Sequence, residues 1–389
     1  MNKFTKWIET LRALILYPYI LKQVKNVESN MFFFFPRFQT GGAEKVHLEI
    51  IKSVSDKKPV CFFTNLSDND DLLAAYTRHA TVINLHRWGW KTSFRKKMAR
   101  IIATSINKVQ SPVIFGSNSE LFYDLFPHLN DECVKIDLLH TDLSHLPLSI
   151  ENYASALTSM LNHRILLGTS HKEKIKVFYK NSGIPAEEID KIKIIHNGVP
   201  VPPTTPERKN YLQNKTVLFV ARNGYEKRPE LFLQIANQSH IQKLPFNFQM
   251  IGDFENFASI KPDNVQIIGK ITDKALLDRY YKKAHFIFIT SIFEGLPMVL
   301  LEGMCHGVIP VSTDVGEISQ EINQKNMTGF IIDNLQTENE IVLDFIKKME
   351  EIANGEYDLN QYADNGYNLV KNKFSGATFT KNYRNILIN

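Results

Sequence analysis

The chain has 389 residues, of which 43% are hydrophobic and 22% charged, and its formal net charge is +5. This is an ordinary globular balance with room for two or three domains, so no disulfide or metal staple is needed for stability. The three scattered cysteines show no metal-ligand spacing and indicate a reducing compartment. The longest apolar run (11–21) contains Pro18 and is too short for a membrane span, and it lacks a signal-peptide cleavage site.

The positive charge is concentrated in two segments. Residues 1–25 carry a net charge of +4 and residues 86–100 a net charge of +6, so the rest of the chain sums to −5. The three tryptophans, Trp7, Trp88 and Trp90, lie in the same two segments. A local basic excess of this kind indicates a surface partner.

In the first half of the chain, short apolar runs alternate with helix-length amphipathic segments. Continuous apolar strands separated by helices are typical of parallel sheets that are covered on both faces. The runs predicted as strands are 31–35, 59–66, 81–86, 112–117, 134–140, 164–170 and 191–198.

The alternation stops at residues 199–210, which hold four prolines and no apolar period, and which we predict to be an interdomain linker. A second series of predicted strands follows, at 216–222, 246–252, 264–269, 285–291, 308–314 and 329–333. The pattern predicts two doubly wound α/β domains, and a ligand is expected at the carboxyl ends of their strands.

The segment 291–307, SIFEGLPMVLLEGMCHG, places two glutamates eight positions apart. It predicts a strand, a loop with Glu294, and a helix with Pro297 as its first residue and Glu302 in its second turn. Amides near Gly295, Leu296 and Met298 are candidates for holding a phosphate. Gly303 costs about 1 kcal/mol relative to alanine within a helix, which suggests a packing reason or a nearby ligand. Alone, the two glutamates are more simply a loop acid and a solvent-facing helix residue.

The surroundings of these glutamates change that interpretation. Residues 293–322 resemble the glutamate–seven residues–glutamate signature of retaining, nucleotide-sugar-dependent glycosyltransferases of the GT-B fold, glycosyltransferase family four. Segments 35–45, 191–199 and 218–236 are similar to other motifs of that family and occur in the expected order. The resemblance implies two Rossmann-like domains facing across a cleft. They comprise residues 1–198, which would bind the acceptor, and residues 199–374, which would bind the nucleotide sugar, with a C-terminal helix at 375–389 that packs back on the first domain.

The resemblance also implies roles for individual residues. Glu294 and His140 are the candidate catalytic residues; Glu302 would bind the ribose hydroxyls, and Arg222 and Lys227 the diphosphate. The full set of candidate donor-binding residues is Arg222, Lys227, Glu302, Gly295, Leu296, Pro297, Met298, Gly269 and Lys270, the last two near the base. The chain departs from the family at Ala221 and Arg228, where glycine is usual or frequent, so the local turn is not predicted.

Three further features of the sequence each allow two interpretations. Gly41 and Gly42 form a glycine-rich loop that either approaches the diphosphate or acceptor or is an ordinary β–α turn. His140 ends a predicted strand and either touches the donor sugar or bonds a loop carbonyl. Residues 67–71, SDNDD, contain the Asp-x-Asp of metal-dependent transferases, but we predict a helix N-cap with an acidic first turn.

The expected activity is transfer of a sugar from a nucleotide-diphosphate sugar to a glycan or lipid-linked acceptor, with retention of configuration, in bacterial surface polysaccharide or lipopolysaccharide biosynthesis. No metal and no other cofactor is expected, since family members do not require one. The alternative is a non-catalytic GT-B-like protein that binds a sugar nucleotide or a partner. A nucleic-acid partner is not expected, because the rest of the chain is net acidic and has no nucleic-acid fold signature.

The sequence also predicts a cytoplasmic protein that is peripheral on the inner face of the cell membrane. Phe94, Met98, Ile101, Ile102 and Ile106 follow a helical period and are predicted to face the core. The opposite side of this helix is then predicted to show Arg95, Lys96, Lys97 and Arg100 to an anionic surface, with Trp88 and Trp90 leading in. Residues 1–25 would add a second contact. The plain alternative is a solvated basic face, with residues 1–25 packed on the protein.

Overall fold

The structure is a computed structural model that describes residues 29–85 and 92–388, together with the isolated positions 18, 22 and 23. The chain divides into two compact units. Unit 1 comprises the residues up to Ile195 and those from Thr380 onward, and unit 2 runs from His196 to Phe379. The sequence placed the corresponding boundary after residue 198.

Unit 1 is built on a parallel sheet whose described strands lie in the order β3-β2-β1-β4-β5-β6-β7. The strands are β1 (Met31–Phe35), β2 (Val60–Phe63), β3 (Thr81–Asn84), β4 (Val113–Gly116), β5 (Val134–Leu139), β6 (His163–Leu166) and β7 (Ile192–Ile194). The helices between them are α1 (Gly42–Ser53), α2 (Leu73–His79), α3 (Thr92–Ile106), α4 (Glu120–Asp124), α5 (Ile150–Ala154) and α6 (Thr169–Asn181).

The central strand β1 shows why the apolar runs predicted this sheet. All five of its residues are buried, as expected for a strand that has helices on both faces. Its Phe34 stacks on Phe62 of β2, with ring centroids 4.8 Å apart. On the α3 side, Phe94, Met98, Ile102 and Ile106 are buried in the same core, which confirms the predicted apolar stripe.

A buried polar network joins β5 to β6. Asp137 on β5 accepts two hydrogen bonds on one oxygen from Arg164, at 3.0 Å from Nε and 2.6 Å from Nη2, and a third from the Tyr123 hydroxyl at 2.8 Å. Arg164 also donates to the Tyr179 hydroxyl at 2.9 Å. A paired and hydrogen-bonded buried charge costs much to break, so this network fixes the register of the strand that ends beside His140.

Unit 2 repeats the architecture with a parallel sheet in the order β10-β9-β8-β11-β12-β13 within the described residues. The strands are β8 (Lys215–Val220), β9 (Phe246–Ile251), β10 (Val265–Gly269), β11 (Phe286–Ile289), β12 (Ile309–Thr313) and β13 (Phe330–Ile332). The helices are α7 (Pro229–Ile241), α8 (Lys274–Lys283), α9 (Met298–Met304), α10 (Ile318–Glu321), α11 (Glu338–Ala353) and α12 (Leu359–Lys373). Every strand predicted from the sequence is present; β1 has the predicted bounds, and the ends of the others differ by one to a few residues.

The last helix, α13 (Gly376–Ile388), ends in unit 1. There Tyr383 is buried and its ring lies 6.2 Å from that of Phe115 on β4. Arg384 donates to the Asp56 carboxylate at 2.6 Å and 3.2 Å. Across the part of the chain that the structure describes, no helix has the length and hydrophobicity of a membrane span.

Candidate active site

Glu294 lies in the loop between β11 and α9, where it meets a cation. Its carboxylate accepts hydrogen bonds from Lys227 Nζ at 2.6 Å and from the Ser291 hydroxyl at 2.8 Å. The side chains are only 18% (Lys227) and 14% (Glu294) exposed, so this ion pair is partly shielded from solvent. The structure therefore brings together two of the residues that the sequence singled out.

The turn that carries Lys227 is fixed to the Glu294 loop by the backbone. It is a short 3₁₀ helix, Tyr225–Lys227, between β8 and α7. The Ile292 amide donates to the carbonyl of Glu226 at 2.8 Å, and the Thr290 hydroxyl donates to the carbonyl of Lys227 at 2.7 Å. These bonds hold the cation and the carboxylate in one rigid piece of unit 2.

Arg228 stands where the resembled family frequently has glycine, and its contacts show how a larger residue is accommodated there. Its backbone is left-handed, with φ of 50°, a conformation that favours glycine. The side chain is buried, and its guanidinium donates to the carbonyls of Thr290 at 2.5 Å and Ser291 at 3.0 Å, and also to the Asn334 side chain. These bonds to the loop offset the backbone strain. From the sequence, Arg228 was noted only as a departure from the pattern of the resembled family, and no role was predicted for it.

Arg222 lies at the end of β8 and forms an ion pair with Glu226 at 2.6 Å. Its side chain is 77% exposed, whereas that of Glu226 is 7% exposed. An exposed arginine is held weakly by one carboxylate, so it is available to an incoming anion. Arg222 and Lys227, the two residues predicted to bind the diphosphate, thus each pair with a carboxylate of unit 2.

Glu302 lies on α9 and is partly buried, not solvent-facing. The Tyr281 hydroxyl on α8 lies 3.3 Å from one of its carboxylate oxygens. Burial, with the Glu302 charge adding to it, raises the pKa of Tyr281 well above its ordinary value, so the tyrosine is a neutral donor. Gly303 beside it is buried, and an added Cβ would meet only ordinary contacts, the nearest at 3.5 Å from Val308. Packing therefore does not require a glycine at position 303.

The start of α9 differs from the expectation. Pro297 has extended geometry, with φ of −64° and ψ of 127°, and is the residue before the helix; Met298 is its first residue. Leu296 is buried in the core of unit 2, and Gly295 lies in the loop, where its carbonyl accepts from the Glu317 amide at 3.0 Å. The loop ends one residue later than the sequence predicted because Pro297 has a strand-like ψ.

Gly316, which was not predicted from the sequence, lies against the Glu294 loop. It has φ of +59°, and a Cβ there would lie 2.2 Å from the Glu294 carbonyl oxygen and 2.3 Å from that of Gly295. Only glycine lets the backbone after β12 pass so close to the Glu294 loop. The signal available in the sequence was a lone glycine shortly after a predicted strand.

Gly269 and Lys270 follow the end of β10. Gly269 has φ of +86° and its carbonyl accepts from the Gly252 amide at 3.1 Å. Lys270 is exposed, and its ammonium lies 3.9 Å from the Asp253 carboxylate. The pair forms a surface corner of unit 2 at the carboxyl end of its strand.

In unit 1, the glycine-rich loop precedes α1. Gly41 has φ of −164°, which any residue adopts, and a Cβ at Gly42 would meet nothing within 4 Å. Gly42 is the first residue of α1, so it belongs to the helix and not to the loop. Neither glycine is required by the backbone conformation.

His140 follows β5, and its Nε2 lies 2.8 Å from Nε2 of His47 on α1. Burial, with a contribution from His171, lowers the pKa of His140 to about 4. Burial and His140 hold the pKa of His47 well below its ordinary value, and burial lowers that of His171 to about 4. All three imidazoles are therefore neutral near pH 7. The partner of His140 is thus His47, and not the loop carbonyl of the alternative interpretation.

His47 was not predicted as a site residue. It lies on the face of α1 that carries Ile50 and Ile51, with Val54 directly after the helix, at the spacing of a buried helical stripe. A histidine within that apolar period was the signal for a buried imidazole.

The acidic segment 67–71 has a different role from the one predicted. Helix α2 begins at Leu73 after Leu72, without a side-chain cap, so the N-cap prediction is wrong. Asn69 accepts from the Thr40 amide at 3.2 Å and Asp71 from the Thr40 hydroxyl at 2.8 Å. These bonds hold the loop after β1. Within residues 29–85 and 92–388, no group of three His, Cys, Asp or Glu side chains could hold a metal ion.

The predicted basic face of α3 needs one correction. Arg95 is 7% exposed, pairs with Asp124 at 2.6 Å and with Glu120, and donates to the Tyr153 hydroxyl at 2.9 Å. It is therefore part of the interior of unit 1 and not of a membrane surface. Lys96, Lys97 and Arg100 are exposed as expected. Trp88, Trp90 and almost all of residues 1–25 lie outside the described residues.

Comparisons with known proteins agree with this geometry. Residues 204–368 match the family of glycosyl transferases group 1. The Escherichia coli O-antigen biosynthesis glycosyltransferase WbnH is 27% identical over 210 residues, which are 53% of this chain and 55% of that protein. A Campylobacter jejuni protein, GalNAc-alpha-(1->4)-GalNAc-alpha-(1->3)-diNAcBac-PP-undecaprenol alpha-1,4-N-acetyl-D-galactosaminyltransferase, is 25% identical over 154 residues, 38% of this chain and 41% of that protein. The chain thus spans about half the length of the curated relatives that it matches.

A solved structure extends the likeness to the whole fold. Anabaena Alr3699/HepE in complex with UDP superposes with a TM-score of 0.70 at 14% identity, covering 92% of this chain and 99% of that one. With its two parallel-sheet α/β units, the chain has the GT-B fold, as the sequence predicted.

Proposed function

We propose that this chain is a glycosyltransferase that moves a sugar from a nucleotide-diphosphate sugar to an acceptor hydroxyl. The observation that carries the proposal is the Lys227–Glu294 ion pair at 2.6 Å, inside the segment that matches glycosyl transferases group 1. A partly shielded cation beside a carboxylate offers one group to the leaving phosphate and another to the sugar hydroxyls. The O-antigen glycosyltransferase named among the relatives supports the same activity.

In the proposed reaction, the acceptor oxygen bonds to the anomeric carbon while the bond from that carbon to the diphosphate oxygen breaks. The diphosphate leaves with the electron pair and takes up the acceptor's proton. Lys227 and the exposed Arg222 stabilise the charge that develops on the leaving group, since cationic donors bind phosphate oxygens strongly. Glu294 accepts from hydroxyls of the transferred sugar, and Glu302 accepts from the ribose.

His140 is proposed to contact the donor sugar. Its lowered pKa, about 4, keeps it neutral, so it acts as a hydrogen-bonding group and not as a cation. One ring nitrogen faces His47, which orients the imidazole and leaves the other nitrogen for a ligand.

We further propose that the reaction retains the anomeric configuration and needs no metal, as in glycosyltransferase family four. The test is incubation with a panel of nucleotide sugars and acceptors, with nucleoside diphosphate release and the anomeric proton of the product followed by NMR. Turnover is expected to survive EDTA. An inverted product, or activity that EDTA removes and manganese restores, would contradict this assignment. Donor binding without turnover for any acceptor would favour the non-catalytic alternative.

The acceptor is proposed to be a glycan or a lipid-linked glycan in surface polysaccharide or lipopolysaccharide biosynthesis. Support comes from the names of the relatives: the Campylobacter protein is named for a glycan on undecaprenyl diphosphate, and the Escherichia protein for O-antigen. The experiment compares a lipid-linked oligosaccharide with the same oligosaccharide free in solution. Equal catalytic efficiency on both would show that the lipid is not recognised.

A cytoplasmic location at the inner face of the membrane is also proposed, because Lys96, Lys97 and Arg100 lie exposed on α3. Each basic residue near an anionic leaflet contributes about 1 kcal/mol of binding free energy. Co-sedimentation with anionic vesicles tests this. Wild type is expected to bind at low salt and to be released at high salt, and the triple change of these residues to glutamate should abolish binding. Wild type that remains in the supernatant at low salt would contradict the proposal.

A further inference from the structure

Two aromatic side chains stand exposed beside the Lys227–Glu294 pair. Tyr225 is 76% exposed and Phe293 is 45% exposed. Their ring centroids lie 6.3 Å apart with the planes at 68°, an edge-to-face arrangement. Ile292 next to them is 43% exposed. Large apolar side chains grouped at the surface indicate a contact site when they adjoin a functional centre.

This aromatic pair is fixed in place by the backbone. Tyr225 opens the turn that ends at Lys227, and Phe293 directly precedes Glu294. The Ile292 amide bonds to the Glu226 carbonyl at 2.8 Å, so the two segments are tied at the level of the rings. Most aromatic side chains of unit 2 are instead buried or partly buried; Phe219 and Phe232, for example, stack in the core at 4.7 Å. The exposure of Tyr225 and Phe293 is therefore a local feature of this site.

We propose that Tyr225 and Phe293 form a platform for a sugar ring of the acceptor. The inference rests on the proposed function and adds the acceptor's position. A pyranose has a C–H face that an aromatic ring covers well and a rim of hydroxyls that the Tyr225 hydroxyl can bond. Aromatic side chains bury much area and lose few torsions on binding, which suits them to such a platform.

The relative exposure of the two pairs assigns the platform to the acceptor and not to the donor. The Glu294 and Lys227 side chains are 14% and 18% exposed, so the donor's phosphate and transferred sugar would lie at the shielded position. The side chains of Tyr225 and Phe293 are more exposed, at 76% and 45%. A sugar stacked on them is the next one outward, where the accepting hydroxyl has to arrive.

The test uses Tyr225→Ala, Phe293→Ala and Tyr225→Phe, with Leu343→Ala as the matched control at an exposed apolar residue of α11. At saturating donor, each alanine variant at the platform is expected to raise the acceptor KM about 10-fold. Tyr225→Phe should keep most of the affinity, and Leu343→Ala all of it. Calorimetry should give the same nucleotide affinity for all variants. An unchanged acceptor KM in both platform alanine variants, or a parallel loss of nucleotide affinity, would overturn the proposal.

A second readout separates this proposal from the proposed function. Saturation-transfer NMR with a panel of methyl pyranosides reports sugar binding without turnover. A signal that is present in wild type and Leu343→Ala and lost in Tyr225→Ala and Phe293→Ala supports the platform, even if no donor is turned over. Turnover failure with every donor contradicts only the proposed function. Absence of a pyranoside signal in folded wild type, with the alanine variants equal to it, would contradict the platform.

Discussion

Lys227 Nζ lies 2.6 Å from the carboxylate of Glu294, although the two residues are 67 positions apart in the chain. The turn of one and the loop of the other are joined by a backbone hydrogen bond from Ile292 to Glu226 and by the bond from the Thr290 hydroxyl to the Lys227 carbonyl. The pair is therefore assembled by unit 2 before any ligand arrives. A cation that is already oriented needs little reorganisation when charge develops on a leaving group.

Replacing Lys227 should therefore impair turnover without unfolding unit 2. We expect Lys227→Ala to lower kcat about 100-fold, because removing one preorganised donor typically has an effect of that size. Lys227→Arg should retain part of the activity, since it keeps the charge with different geometry. Steady-state kinetics with a thermal melt of each variant measures this. A folded Lys227→Ala protein with wild-type kcat would exclude the proposed role.

Glu302 is expected to determine nucleotide affinity. Losing the hydrogen bonds that a carboxylate accepts from ribose hydroxyls costs about 1.5–3 kcal/mol, so Glu302→Ala should weaken binding about 10- to 100-fold. Tyr281→Phe is the matched control, because it removes the hydroxyl that lies 3.3 Å from Glu302 and keeps the carboxylate. Its nucleotide affinity in calorimetry should stay within a few-fold of wild type. Equal affinity for Glu302→Ala and wild type would refute the ribose assignment.

Two glycines near Glu294 should respond to alanine in opposite ways. At Gly316 the left-handed backbone and the 2.2 Å clash with the Glu294 carbonyl make alanine incompatible with the loop. We expect Gly316→Ala to lower stability by about 1–3 kcal/mol and to abolish turnover. At Gly303 a Cβ makes only ordinary contacts, the nearest at 3.5 Å, so alanine should be neutral or add up to about 1 kcal/mol. Urea unfolding measures the free energy of unfolding of both variants, and equal effects of the two substitutions would contradict the different surroundings of the two glycines.

The strands and the Glu294 segment were predictable because their signals are local. A run such as 31–35 is apolar throughout, and a fully buried parallel strand needs no partner to be recognised in sequence. The two glutamates and the lysine were predicted from a motif, and the structure adds the ion pair that links Lys227 to Glu294.

The features that were not predicted from the sequence depend on partners that are far away along the chain. Arg95 follows Phe94 on α3 and reads as a solvent-facing residue, yet its carboxylate partner Asp124 lies 29 positions later. The bond between His47 and His140 joins residues 93 positions apart. Gly316 is needed only because another loop passes beside it. Such contacts follow from the topology of the sheet and cannot be recognised in a short segment of the sequence.

The buried position of Arg95 leads to a prediction about stability. Arg95→Met leaves Asp124, whose side chain is only 7% exposed, without its cation. Breaking a buried ion pair from one side costs about 3 kcal/mol or more. Lys96→Met, one residue along the same helix and exposed, should change the free energy of unfolding by less than about 0.5 kcal/mol. Urea denaturation measures the free energy of unfolding of both variants, and equal values would contradict the buried ion pair of Arg95.

The buried imidazoles predict how stability depends on pH. In the folded protein burial lowers the pKa of His140 and of His171 to about 4 and holds that of His47 low, whereas the unfolded value is about 6.5. Below that unfolded value the unfolded chain binds protons that the folded one does not. The stabilisation is therefore complete above about pH 6.5 and is lost as the pH falls toward 4.

Each such histidine contributes a slope that approaches about 1.4 kcal/mol per pH unit within that window. We expect the free energy of unfolding to fall between about pH 7 and about pH 5.5, where most carboxylates remain ionised. His47→Gln removes one titrating group and should reduce the slope. Urea unfolding at several pH values measures the slopes. If His47→Gln gives the same slope as wild type, the pKa of His47 does not differ between the folded and unfolded states, and the neutral buried pair is the wrong description.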